Sequence, residues 1–513
     1  MWKRNTIAGW LSLAALTLTA CTRVAPYHTI APDDPRAIPG TNCKRTSTGT
    51  VPEACRSLVV EHAPEYDLYF AEFDDQGWPF DAPRYGAAGR QTPIFIDNLR
   101  HELSDGADGL SIVTFVHGWK HSAASEDDDV DTFRQVLTGL SHLESQNARC
   151  RRKVIGLYVG WRGRALSLGD TIENVSFWDR KNVAAKVAQG SVRELFARIR
   201  SLEGAANQPH PGPTDQPCRD HRVRSMYIGH SFGGLILFTV LSEALIKDVA
   251  DFQDAMRESG NGRRPAMLQR EGDLVLLVNP AIEATRYDAL SRAVQRQPSE
   301  VYEAPLFVSI ASVDDDATRV AFPIGRALGT IFEAYSPALR STERAANLKT
   351  ISQDAHYLTM SLRVLSDYNR AHPEHQIAPS PACVGYVQAK GVPPAEELKL
   401  HVGKERENFE LFRKSLGRDG TAAHSFPRQF CGDPEGMVLS LLSERAPDGT
   451  WRSIDPNSPV WNIQTAAPII GSHGDISNHL MLQFVRQLYL DSEQSTFSER
   501  PGGEKTSPGR PSR

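Results

Sequence analysis

Residues 229–234 read Gly229-His230-Ser231-Phe232-Gly233-Gly234, a G-x-S-x-G pattern between the strand-like run Val223 to Ile228 and the helical stretch Leu235 to Val249. A serine hydroxyl on a sharp strand-to-helix turn is a nucleophile once a base takes its proton. Such a turn strains the backbone, so the residues two positions either side must be small, and Gly229 and Gly233 are. The helix that follows directs N–H groups and the positive end of its dipole toward the reacting carbon. By composition the five-residue pattern arises by chance roughly 0.2 times in a chain of this length, and requiring the flanking elements lowers that several-fold.

A sheet must hold that serine. Ser111 to Val116 is a continuous β-branched and aromatic run, suited to a strand buried on both faces. Val154 to Val159, Val223 to Ile228, Leu274 to Val278 and Leu306 to Ser312 repeat that character, and Asp67 to Phe73 alternates as a half-buried strand does. Ile94 to Leu103, Val130 to Leu143, Lys181 to Leu202 and Leu235 to Val249 are spaced as helices. Strands alternating with helices predict an α/β fold, a mostly parallel sheet with helices on both faces. The alternation stops between 318 and 456, where Ala327 to Tyr335 and His356 to Asn369 look helical and Pro379 to Pro394 looks like loop. That interval is too long for a simple connection and predicts an inserted cap or subdomain. Val460 to Gln464 and Leu480 to Leu490 then close the fold as a last strand and helix. The division that follows is a core of 58–317 and 457–492 interrupted by 318–456, with a disordered tail at 493–513.

With these elements in place the chain resembles the α/β-hydrolase superfamily. The resemblance implies an oxyanion loop after an earlier strand, and Phe115-Val116-His117-Gly118-Trp119 ends one. The donors implied are the backbone N–H groups of Phe232 and Trp119, and His117 is read as bracing the loop through hydrogen bonds, with action on substrate as the alternative. The family's glycine-rich version of this loop is absent, since Trp119 and Lys120 follow Gly118. The order Ser, acid, His implies an acid after the strand Phe307 to Ser312. Counting from Ser312 selects Asp315, with Asp314 and Asp316 as the alternatives. The histidine implied is His473, in Ser472-His473-Gly474-Asp475-Ile476 before the closing helix. It would take the Ser231 proton and return it to the leaving group while Asp315 holds the ring. His479 falls in the closing helix, His356 in the insertion and His424 in loop.

Trp119, Trp161, Phe177 and Trp178 lie where loops at strand ends form a ligand crevice, as pocket walls or as ordinary packing. Arg162 stands beside them, either to anchor an acidic group or to pair with a carboxylate. The acidic run Glu126 to Asp131 precedes a helix, whose N-terminus accounts for it without a metal. No metal or organic cofactor is implied.

The N-terminus carries Lys3 and Arg4, a mostly apolar run from Ile7 to Leu18, and Leu18-Thr19-Ala20-Cys21. The run is shorter than the roughly 20 residues that span a bilayer, and it suits a secretory signal over 1–20. Its end resembles the bacterial lipoprotein processing box, which implies lipid on Cys21 and a tether over 21–57. By the same resemblance, Thr22 rather than Asp after the cysteine implies the outer membrane, with the protein facing the periplasm. An exported chain meets an oxidising compartment, where Cys43, Cys55, Cys150, Cys218, Cys383 and Cys431 can form three bridges. Fifteen connectivities are open, and pairing of neighbours in sequence is expected: 43 with 55, 150 with 218, 383 with 431.

Composition agrees with a globular protein of 513 residues, 40% hydrophobic and 23% charged, and excludes collagen, coiled coil and a fully disordered chain. A formal charge of −5 gives a nucleic-acid partner no electrostatic support. The reading is a lipid-anchored serine hydrolase cleaving a carboxylic ester, lipid-like substrates included, through an acyl-enzyme on Ser231. An acyltransferase with the same triad and a binding protein on a hydrolase scaffold are the alternatives.

Overall fold

A computed structural model of the chain describes residues 24–37, 51–147, 150–164, 177–208, 218, 221–258, 274–296, 302, 304–330, 333–386, 394–416, 426–442 and 454–495. Its strands are β1 (Val60–His62), β2 (Tyr66–Phe73), β3 (Gly109–Val116), β4 (Arg152–Trp161), β5 (Val223–His230), β6 (Leu274–Val278), β7 (Phe307–Ser312), β8 (Met360–Val364), β9 (Arg428–Phe430), β10 (Met437–Leu441) and β11 (Val460–Thr465). All join one sheet in the order β1-β2-β4-β3-β5-β6-β7-β11-β8-β10-β9. From β2 across to β8 every pair is parallel. The pairs at the two edges, β1 with β2 and β8-β10-β9, are antiparallel. The fold is therefore α/β, a mostly parallel mixed sheet flanked by helices.

Every residue of β3, β5, β6 and β7 is buried, which explains their unbroken apolar runs. Along β3, Leu110 and Ile112 enter one core cluster and Val113 and Phe115 the other. The first cluster also holds residues of helices α1 (Gln91–Ser104), α3 (Phe177–Gln189), α4 (Val192–Ala206), α5 (Phe232–Glu258) and α6 (Ala284–Gln295). The second takes in helix α2 (Asp128–Ser145). Burying a Leu, Val or Phe side chain contributes about 1.5–3 kcal/mol, so this two-sided apolar sheet is the main source of stability.

Several expectations need correction. Lys181 to Leu202 is not one helix: α3 and α4 part at Gly190, where a Cβ would lie 2.4 Å from the Gly77 carbonyl oxygen. Ser191 N donates to that same oxygen at 2.8 Å. The 318–456 interval contains the short helices α7 (Phe322–Gly329), α8 (Arg340–Leu348) and α9 (Leu365–Ala371), and the longer α10 (Pro394–Ser415). The interval adds β8, β10 and β9 to the common sheet beyond β11. Its helix α10 packs on α2 and on the closing helix α11 (His479–Ser495). His356 to Asn369 is helical only from Leu365; Met360–Val364 is a strand because its apolar residues meet β11 on one side and β10 on the other.

Nor is the tether wholly loose. The Tyr27 and His28 N–H groups donate to the Glu72 carboxylate, and the His28 ring stacks on Phe70 with centroids 3.5 Å apart. Cys150–Cys218 and Cys383–Cys431 are bonded, as the spacing suggested. Cys55 is also in a disulfide, while Cys43 lies outside the described residues. So do the expected signal over 1–20, Cys21, His424 and the residues from 496. Among the described residues no helix is long and apolar enough to cross a membrane.

Candidate active site

Ser231 sits between β5 and α5 with φ +54°, a left-handed conformation that is strained for a residue with a side chain. Its surroundings admit no larger neighbours. A Cβ on Gly233 would lie 1.9 Å from the Val116 carbonyl oxygen, and one on Gly229 2.8 Å from Gly234 Cα. The end of β3 thus closes directly on the turn. Gly118 lies against the serine as well, because a Cβ there would come within 2.8 Å of Ser231 Cβ.

The three residues expected to work together meet. Ser231 Oγ donates to His473 Nε2 at 2.8 Å, and His473 Nδ1 donates to Asp315 Oδ2 at 2.8 Å. Asp315 is fully buried, which by itself would raise its pKa. The hydrogen bond from His473, the charge of that ring and the bonds from Thr318 outweigh burial, and the carboxyl is held below its ordinary value. Thr318 Oγ1 donates to Oδ2 at 2.6 Å, and the N–H groups of Ala317 and Thr318 donate to Oδ1. Asp314 instead accepts from Ala467 N, and Asp316 pairs with Arg319 on the surface. Of the three aspartates, Asp315 alone contacts His473.

Two residues that position the histidine loop carried no sequence signal strong enough to single them out. Asn279, with φ +44°, donates from Nδ2 to the His473 carbonyl at 2.9 Å and accepts the Ser312 N–H through Oδ1 at 3.0 Å. Its usable clue was an asparagine, tolerant of left-handed angles, just past β6. Ser312 Oγ donates to the Ile470 carbonyl at 2.7 Å. His230 Nε2 also donates to the His473 carbonyl, at 2.9 Å.

His117 is buried and braces its loop: Nε2 accepts the Trp161 N–H at 3.0 Å, and Nδ1 donates to the Gly118 carbonyl at 2.9 Å. Burial pushes its pKa down to about 4, so the ring is neutral. The N–H groups of Phe232 and Trp119 meet no acceptor among the described residues. Donors of that kind contribute about 2.7–4 kcal/mol each where charge develops on a carbonyl oxygen.

The aromatic residues divide. Phe177 is buried against Phe232, with centroids 4.8 Å apart, and meets Trp119 and Trp178 edge-on at 5.1 and 5.2 Å. These form a packed cluster beside the serine rather than open walls. Trp161 and Arg162 line a cavity of about 290 Å³ that also reaches Lys120 and Asp127. Arg162 is bound to Asp75 through Nε and Nη2, so the carboxylate pairing holds here. His356 is exposed, and His479 opens α11 with Nε2 bonded to the Asp433 carbonyl. Ser231 itself has no exposed surface, and the His473 side chain is 21% exposed. No family model matches the chain, and neither does any curated protein or solved structure.

Proposed function

We propose that the protein is a serine hydrolase of the α/β-hydrolase type that cleaves a carboxylic ester through an acyl-enzyme on Ser231. The observation that carries the reading is the unbroken chain Ser231 Oγ–His473–Asp315, both links 2.8 Å, hung on a strained strand-to-helix turn. In this mechanism His473 Nε2 takes the Ser231 proton as Oγ attacks the ester carbonyl. Asp315 stabilises the imidazolium, and the N–H groups of Phe232 and Trp119 receive the oxyanion. The leaving alcohol takes the proton from His473, and water then repeats the sequence to release the acid. The aromatic cluster of Phe177, Trp119 and Trp178 favours an apolar acyl group next to the serine. Because Ser231 is wholly buried, substrate reaches it only when neighbouring side chains move.

A fluorophosphonate should label Ser231 and leave Ser231→Ala unmodified, and a p-nitrophenyl ester series should define acyl length. Absence of both labelling and turnover in folded wild-type protein defeats the reading. The anchor belongs to the same proposal: Cys21→Ser should move the protein from membranes to the soluble periplasmic fraction, and unchanged partition would rule out lipid at Cys21.

A further inference from the structure

His121, Asp129 and His230 come together from three elements: the loop after β3, the first turn of α2, and the last residue of β5. One nitrogen of each ring and one Asp129 oxygen all lie within 4.8 Å of one another. Asp129 Oδ2 stands 3.6 Å from His230 Nδ1, and Asp129 Oδ1 3.6 Å from His121 Nδ1. Both separations are too long for hydrogen bonds. Asp129 is 3% exposed and His230 1%, yet Asp129 Oδ2 and His230 Nδ1 have no hydrogen-bond partner.

His230 Nε2 faces the His473 carbonyl, which can only accept, so the Nε2 proton is fixed there. In the neutral ring Nδ1 therefore turns a lone pair toward a carboxylate oxygen that also carries lone pairs. Something positive belongs between them. A proton on Nδ1 would draw the pair to about 2.7–2.9 Å, the spacing seen for His121 Nδ1 with Asp127 at 2.7 Å and His473 with Asp315 at 2.8 Å. The wider 3.6 Å gap instead matches the ligand-to-ligand edge, roughly 3.3–3.6 Å, of a tetrahedral ion with bonds near 2.0–2.2 Å.

We propose that His121, Asp129 and His230 form a binding site for a divalent transition cation of the zinc class. Two imidazoles and one carboxylate suit such an ion, whereas calcium and magnesium prefer all-oxygen sets. Asp127, bonded to His121 Nδ1, holds that ring, and its Oδ2 is fixed by Ser122 N at 2.9 Å. Asp127 and Lys120 also line the 290 Å³ cavity, which brings solvent next to the cluster. Bound at His230 Nδ1, the ion fixes the tautomer that grips the His473 carbonyl, so its role is to brace the loop bearing His473. The proposal does not depend on hydrolysis.

The test uses the full chain stripped with a chelator and titrated with ZnCl₂ or CoCl₂ by calorimetry, with Co²⁺ absorption reporting tetrahedral geometry. One equivalent should bind with a Kd below about 10 µM. The melting temperature should rise by several degrees, and CaCl₂ should produce no rise. His121→Gln and Asp129→Asn should each weaken binding by about tenfold or more. If Asp129→Asn does not fold, His121→Gln, altered at a partly exposed residue, decides alone. The proposal is overturned if neither ion binds up to roughly 100 µM, or if the folded variants bind as wild type does.

Discussion

Two histidine–carboxylate pairs meet beside Ser231, and they are built to different specifications. In His473–Asp315 the nitrogen and oxygen are 2.8 Å apart, and both Asp315 oxygens receive further donors. In His230–Asp129 the gap is 3.6 Å, and the facing atoms have no hydrogen-bond partner. The pairs touch, since His230 holds the carbonyl of His473. The same two residue types are thus arranged for two kinds of chemistry: in the proposed mechanism a closed, fully satisfied pair would orient and stabilise the base beside a nucleophile, and a splayed pair would leave room for the proposed ion. Separation and satisfaction decide, not residue type.

The harshest way to break this contrast is to remove the histidine of the closed pair or the serine it contacts. Ser231→Ala, His473→Ala and the double variant should each lose about 10⁴ to 10⁶ in turnover of a p-nitrophenyl ester, because the residues act as one unit. Additive losses would show that they do not. Asp315→Asn should lose less, roughly 10³ to 10⁴, as the ring takes the wrong tautomer.

A gentler test is pH. Asp315 has a lowered folded pKa, so its contribution is present above the unfolded value near 3.9 and disappears as pH falls through the folded value. The melting-temperature difference between wild type and Asp315→Asn should therefore shrink on acidification. His121 runs the other way. Burial opposes its charge, but Asp129 and Asp127 together carry its pKa up to about 9. Its contribution is complete below the unfolded value of about 6.5 and is lost as pH rises through that higher value. In metal-free protein, His121→Gln should lower the melting temperature at pH values below the unfolded one and converge on wild type well above 9. The smallest effect belongs to Asp316, which faces solvent: Asp316→Asn should keep turnover within about twofold, and a large loss would move the acid away from Asp315.

The closed pair and the serine it contacts could be located in the sequence because each of the three residues follows a recognisable strand: Ser231 after β5, Asp315 after β7, His473 after β11. Buried parallel strands write long apolar runs, and a turn that needs glycine marks itself. The splayed pair had no such frame. Asp129 sits in an acidic run whose N-cap, Asp127, accepts the Asp129 N–H and satisfies the helix-terminus reading without revealing where the Asp129 side chain points. His230 was hidden inside the motif as its variable residue. The sheet extension was missed for another reason. β8, β9 and β10 span five, three and five residues, too short for periodicity to separate strand from helix, so their pairing is decided by tertiary contacts.

The place of β11 has a temporal meaning. Among the described residues it is the last strand in sequence, yet it lies between β7 and β8, and it leads to a histidine 242 residues after the serine it contacts. At about 5–20 residues per second of synthesis, Ser231 exists for tens of seconds before His473, its proposed base, has been made. Contacts so distant in sequence also form late and slowly. A nascent or truncated chain ending before β11 has Ser231 but lacks His473, the group that would activate it in the proposed mechanism. In the proposed mechanism, assembly order itself would withhold the base until β11 has joined the sheet.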